Sequence, residues 1–167
     1  MTICCEKTVE VDKDLIPTGN LVPVDGTFLD LRKPVRLADV LSKCPGGEFS
    51  GFSHCYVVEK NICKDDNNFA TPKKKLVSVA EVRNPTTGIT LKCFTDQPGL
   101  IFYTGQYNSN EGTMIGRCGK VYGKYSGLCL ETQKFGDSCN KPDFPTWTLR
   151  PGQVYTHNSE YNFSSYD

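Results

Sequence analysis

Apolar and polar residues alternate along most of this chain, and glycines and prolines break the alternation every few residues. A period of two marks strands with one buried face, whereas a helix buries every third or fourth position. The pattern predicts strands over Lys7–Val11, 15–24 with a turn at Ile16-Pro17-Thr18-Gly19, 55–59, 100–104, 128–131, 146–149 and 154–163. The clearest hairpin joins 75–83 to Ile89–Thr95 through Asn84-Pro85-Thr86-Thr87-Gly88, whose glycine can take positive φ. In its second arm Ile89, Leu91 and Cys93 point one way while Thr90 and Lys92 point the other. One segment, 36–43, has helical spacing at Leu37, Val40 and Leu41. Pro34 before it and Pro45-Gly46-Gly47 after it confine it to a short connecting helix. The expected fold is therefore all-β, a sandwich or barrel with one short helix. No repeat, linker or low-complexity tract divides it, so 1–167 reads as one domain with no second one.

Composition narrows the function classes. At 167 residues the chain can bury one real core. Nineteen basic residues balance nineteen acidic ones, which leaves no bulk electrostatic case for nucleic acid or an anionic membrane. The lysine run Lys73-Lys74-Lys75 reads as a solvated loop. Nine cysteines, with no CxxC pair and only Cys4-Cys5 adjacent, fit reduced thiols of a cytoplasmic protein better than a disulfide framework. The N-terminus has no basic and apolar leader pattern, and no apolar stretch approaches membrane-spanning length. Neither metal-ligand spacing nor a phosphate-cradling glycine loop is present, so no cofactor is expected.

The densest chemical signal is Leu128-Cys129-Leu130-Glu131-Thr132-Gln133, followed by a loop that runs to Pro145. It sets one carboxylate at a strand end, where a base is held firmly and a ligand can reach it. Leu128 and Leu130 are expected to desolvate Glu131 and strengthen it as a general base. The plainer reading is a strand-end glutamate facing water. Upstream, Phe102-Tyr103 offers an aromatic wall on which the apolar face of a ligand could stack. Alternation puts the two rings on opposite faces, and Phe102 is the expected wall, with a core role as its alternative. His54 reads as a structural strand histidine, and His157 lies in a polar strand without an evident role.

With Val9-Glu10-Val11-Asp12, Ile16-Pro17-Thr18-Gly19, Val24-Asp25-Gly26-Thr27, Arg32-Lys33-Pro34, Phe102-Tyr103-Thr104-Gly105 and Leu149-Arg150-Pro151-Gly152 in that order, the chain resembles the aldose 1-epimerases, or galactose mutarotases. The resemblance covers nearly all of this chain but only about the C-terminal half of the family's domain. It implies part of a galactose-mutarotase-like β-sandwich and interconversion of the α and β anomers of glucose- and galactose-type aldoses, without cofactor. It implies that Glu131 is the base acting on the anomeric hydroxyl and that the Phe102 stretch lies beside the sugar. Ser53-His54 stands where the family has Asp-His, so Ser53 replaces a charged contact to sugar hydroxyls and His54 is its neighbour. The family's general acid, a histidine, and a second active-site histidine precede the region seen here. An impaired catalyst is therefore expected, with a non-catalytic carbohydrate-binding or structural relative as the alternative. An enzyme represented by a partial gene model, and a hexose 6-phosphate epimerase using the Lys73–Lys75 run, are further readings. Exposed sheet edges in such a partial sandwich predict self-association.

Overall fold

In the computed structural model, residues 1–45, 47, 50–59, 75–108 and 114–165 are described. Among them the chain forms strands β1 (Thr2–Ile3), β2 (Lys7–Val11) and β3 (Pro17–Pro23), then helix α1 (Leu37–Leu41). Strands β4 (Ser53–Val57), β5 (Val77–Arg83), β6 (Ile89–Thr95), β7 (Gly99–Tyr103), β8 (Cys129–Gln133) and β9 (Ser159–Ser165) follow. They build two antiparallel sheets, one in the order β1-β5-β6-β9 and the other β3-β2-β4-β7-β8. The all-β expectation holds, and α1 is the short connecting helix, with Leu37, Val40 and Leu41 half-buried against the core.

The β5–β6 hairpin forms for the reason its sequence gives. The Asn84 N–H donates to the Ile89 carbonyl at 2.8 Å, and the Gly88 N–H donates to the Asn84 carbonyl at 2.9 Å. The Asn84 side chain accepts the Thr86 N–H at 2.9 Å, and Gly88 takes φ +70°. Thr90 departs from the simple alternation, being buried although it faces away from Cys93.

The main core lies between the sheets. Tyr56, Leu100, Phe102 and Leu130 of the larger sheet meet Val79, Ala80 and Cys93 of the smaller one, with Ile3, Leu31 and Phe52 joining them. A second cluster covers part of the larger sheet's other face. There Phe135 and Phe144, from the segment after β8, pack on Val9 and Val57 with Leu21 and Cys55 alongside. Their rings meet edge-on, 5.2 Å apart.

Several boundaries differ from the sequence pattern. The turn before β3 is at Asp12–Ile16, not Ile16–Gly19. The Asp12 carboxylate accepts the N–H groups of Asp14 and Ile16, and Leu15 takes φ +62°. Strand β4 begins at Ser53, two residues before the expected start. Residues 146–149 form no strand, and the last strand begins at Ser159 and not at 154. The intervening segment is tied down by side chains: Trp147 Nε1–H donates to the Phe135 carbonyl at 3.0 Å, and the Tyr155 hydroxyl donates to Gln97 Oε1 at 3.0 Å. The eight described cysteines are free thiols. No helix among the described residues is long and apolar enough to cross a membrane. Lys73 and Lys74 lie outside the described residues.

Candidate active site

The register of β4, β7 and β8 decides which side chains can meet. Across these strands Ser53 pairs with Tyr103 and Tyr103 with Cys129. Cys55 pairs with Ile101 and Ile101 with Glu131, while Val57 pairs with Gly99 and Gly99 with Gln133. Directly paired residues share a face, and alternate residues along a strand share it too. Ser53, Cys55, Ile101, Tyr103, Cys129, Glu131 and Gln133 therefore project from one side of the sheet. His54, Phe102 and Leu130, paired with one another, project from the other.

This division corrects two expectations. Phe102 is 0% exposed and packs on Phe52 with ring centroids 4.9 Å apart, inside the inter-sheet core. It cannot be the wall of a site that contains Glu131, because the sheet lies between them. The aromatic residue on the Glu131 face is Tyr103, whose ring stacks on Tyr107 at 6.2 Å with a 12° interplanar angle. His54 is also on the core side, its ring edge-on to Phe28 and Phe52. Burial lowers its pKa, which keeps the imidazole neutral. Its Nδ1 accepts the Ser53 N–H at 3.1 Å, so it supports the strand and does not border Glu131.

Glu131 itself is exposed. The leucines expected to desolvate it do not do so: Leu130 points into the core, and Leu128 packs against the core cluster. Its surroundings come from the neighbouring strand and from the two ends of the face. Ile101 lies directly across from it, with Cys55 one strand further. Burial pushes the Cys55 thiol up to about 12, so this thiol is protonated at neutral pH. At one end Phe135 and Phe144 rise over the Val57–Gly99 row. A Cβ on Gly99 would come within 2.9 Å of Cys55 Sγ and of the Gln133 carbonyl, and 3.1 Å of Phe135 Cδ1, so this strand must carry glycine there for the wall to close. At the other end the Tyr103–Tyr107 stack forms a second aromatic edge. Ser53 lies at that end, on the same face as Glu131 and paired with Tyr103.

The result is a strip with an apolar floor of Cys55 and Ile101, one carboxylate, and aromatic rings at both ends. It can place an apolar ring face on the floor and a hydroxyl against Glu131. Two tyrosines and Ser53 supply further hydroxyl groups. His157 lies elsewhere: its Nε2 is 3.0 Å from the hydroxyls of Thr132 and Ser159, and Thr132 is on the core side of β8. Among the described residues no group of three or more His, Cys, Asp or Glu side chains could hold a metal ion. The sequence pattern weighed Tyr103 but chose Phe102, and it missed Ile101. Their parity with Glu131 follows only from the β7–β8 register, which spans a connection of 25 residues, Thr104 to Leu128.

Comparison with known proteins accounts for the motif. The family model for aldose 1-epimerase matches residues 1–162. Galactose mutarotase of Mus musculus is 43% identical over 164 residues, covering 98% of this chain and 43% of the mouse protein. Galactose mutarotase of Homo sapiens is 40% identical, with the same shares covered. The chain thus spans less than half the length of these relatives. A crystal structure of a GalM/aldose epimerase homologue from C. elegans superposes with a TM-score of 0.78, covering 99% of this chain and 45% of that one at 23% identity, which shows the shared fold. A β-sandwich carrying the Cys129-Leu130-Glu131-Thr132-Gln133 strand, matched from residue 1 to 162 by this family's model, belongs to the aldose 1-epimerase family.

Proposed function

We propose that this chain corresponds to the C-terminal portion of an aldose 1-epimerase domain and supplies the sugar-binding face and the general base of anomer interconversion. The substrates are aldoses of the galactose and glucose type, in the cytoplasm, and no cofactor takes part. The observation that carries this reading is the placement of Glu131: a solvent-reachable carboxylate on a strand, across from Ile101 and flanked by the Tyr103–Tyr107 stack.

The chemistry needs little else. Glu131 takes the proton of the C1 hydroxyl as the C1–ring-oxygen bond breaks, and the ring oxygen receives a proton from an acid on the sugar's other side. The open aldehyde turns about C1–C2. Closure reverses both transfers onto the opposite face of the carbonyl, returning the proton from Glu131 to the new anomeric oxygen. Proton transfer by a positioned group contributes roughly a hundred- to ten-thousandfold. The floor of Ile101 and Cys55 suits the C–H face of a pyranose, and Tyr103 replaces Phe102 as the stacking wall. Ser53 contacts sugar hydroxyls without a charge, so binding is weaker by roughly ten- to a hundredfold than with a carboxylate there.

A second reading, a carbohydrate-binding relative without catalysis, is favoured by Ser53 and by the position of both histidines away from the Glu131 face. Polarimetry of freshly dissolved α-galactose separates the two. The first reading expects acceleration over buffer that disappears in Glu131→Gln. Galactose binding that perturbs Tyr103 and Glu131, with no acceleration at any concentration, would establish the second.

A further inference from the structure

We propose that His157, Ser159 and Tyr161 are positioning residues for Glu131, holding its strand in place from the opposite sheet. The proposal rests on the reading of Glu131 as the base, and its test separates the two.

Glu131 needs such support. Strand β8 is the last strand of its sheet, five residues long and laddered to β7 alone. A strand held on one side opens locally more easily than one held on both. The Glu131 carboxylate has no hydrogen-bond or ion-pair partner among the described residues, so its backbone alone aims it. A general base must stand within hydrogen-bond reach of the proton it takes. A displacement of about 1 Å can cost on the order of a hundredfold in rate.

The two residues that flank Glu131 are both tied to the segment that ends in β9. The Tyr161 hydroxyl donates to the Leu130 carbonyl at 2.7 Å. The Thr132 hydroxyl contacts the Ser159 hydroxyl, and His157 Nε2 lies 3.0 Å from each of them. Leu130 and Thr132 are buried on the core side of β8, so this support reaches the strand from behind the Glu131 face. The contacts run antiparallel, Tyr161 with Leu130 and Ser159 with Thr132, as those of a paired strand would. In the sequence His157, Ser159 and Tyr161 recur at every second position, which puts all three head groups on one face. The anchor is itself fixed. The Asp96 carboxylate accepts the Asn158 N–H at 3.0 Å, and β9 pairs with β6 along all seven of its residues. Both partners of every one of these bonds belong to this chain.

The test uses two near-isosteric variants of the 167-residue chain. Tyr161→Phe removes only the hydroxyl on the Leu130 carbonyl. Thr132→Val removes the hydroxyl between Ser159 and His157, and leaves those two bonded to each other. Each should lower the polarimetric rate of galactose mutarotation about tenfold, with the galactose Kd unchanged because Ile101 and Tyr103 stay in place. Amide hydrogen exchange should quicken in β8 and not in β4. Ser164→Ala, on the opposite face of β9, should alter neither rate nor exchange. A native rate with a lowered thermal midpoint would make the contacts merely structural and overturn the proposal, as would unchanged exchange in β8. A native chain no faster than Glu131→Gln would overturn the base reading instead. Quickened β8 exchange in both variants would then still support the hold on this strand, and unchanged exchange would overturn it.

Discussion

Adjacent residues on β7 have opposite fates, and substitution should separate them. Phe102 fills the core against Phe52, so Phe102→Ala leaves a cavity and is expected to cost about 3–5 kcal/mol. Tyr103 is half-buried on the Glu131 face, and Tyr103→Ala should leave the urea midpoint nearly unchanged while weakening galactose binding about tenfold. Chemical denaturation and a galactose titration on both variants check this. A Phe102→Ala protein that stays stable and loses only sugar binding would return Phe102 to the site. The Cys-Leu-Glu-Thr-Gln motif made the strand of Glu131 legible, although the residue sits in the middle of β8 and not at its end. The sequence also showed that Phe102 and Tyr103 face opposite ways. What it could not supply was the parity between β7 and β8, because nothing local to either strand says that Ile101 and not Phe102 pairs with Glu131. A shift of one residue inverts every assignment on a strand.

At the scale of elements, two junctions hold the strands in these registers. The first is Gly99, where β7 starts beneath Phe135. Gly99→Ala brings a methyl group against a backbone oxygen and the Cys55 thiol. It should destabilise the fold by about 1–3 kcal/mol and lift the Phe135–Phe144 wall from the sheet. The rise in accessibility of the Cys55 thiol to an alkylating reagent would show it. The second junction is Asp96, a buried residue at the end of β6. Its carboxylate accepts the Asn158 N–H at 3.0 Å, the Asn158 side-chain amide at 2.8 Å and the Gln97 amide at 2.7 Å, fixing the start of β9. Burial alone would raise its pKa, but the bonds from Asn158 and Gln97 outweigh that and hold it below the usual carboxylate range. A carboxyl group with a depressed folded pKa stabilises fully above its unfolded value, and the benefit is lost as pH falls through the folded one. Stability should therefore decline as the pH drops below about 4. Asp96→Asn should cost roughly 1.5–3 kcal/mol at neutral pH and flatten this decline. Some acid sensitivity should persist in the variant, because the Arg32 guanidinium beside Asp30 holds that carboxyl at about 2. Urea midpoints from pH 7 down to pH 3 measure both effects. The hairpin of β5 and β6 was readable from Asn84 to Gly88. The bend at Asp12 was not, because Ile16-Pro17-Thr18-Gly19 looks like a turn, yet Pro17 and Gly19 fit at an edge strand where no ladder hydrogen bond is required of them.

For the molecule as a whole, the decisive fact is where its imidazoles are. The chain has two histidines. His54 is packed among Phe28 and Phe52 on the core side of the larger sheet, and His157 is bonded to Thr132 and Ser159. Neither can stand across a pyranose from Glu131 without crossing the sheet. Under the proposed reading half of the proton traffic is provided for: Glu131 would serve as the base at C1, while an imidazole opposite it is not among these residues. A chain in this condition should accelerate mutarotation weakly, on the order of a hundred- to ten-thousandfold below a site with both groups. It should also respond to an acid supplied from solution. Added imidazole is expected to raise the rate in proportion to its protonated fraction, so that the gain is largest near pH 6 and fades above pH 8 as the buffer loses its proton. Glu131→Gln should abolish that gain beyond what imidazole does in free solution, because the added acid then has no base to work against. An imidazole response equal in the native chain and in Glu131→Gln would show that Glu131 takes no proton from the sugar. The face would then be a binding surface alone.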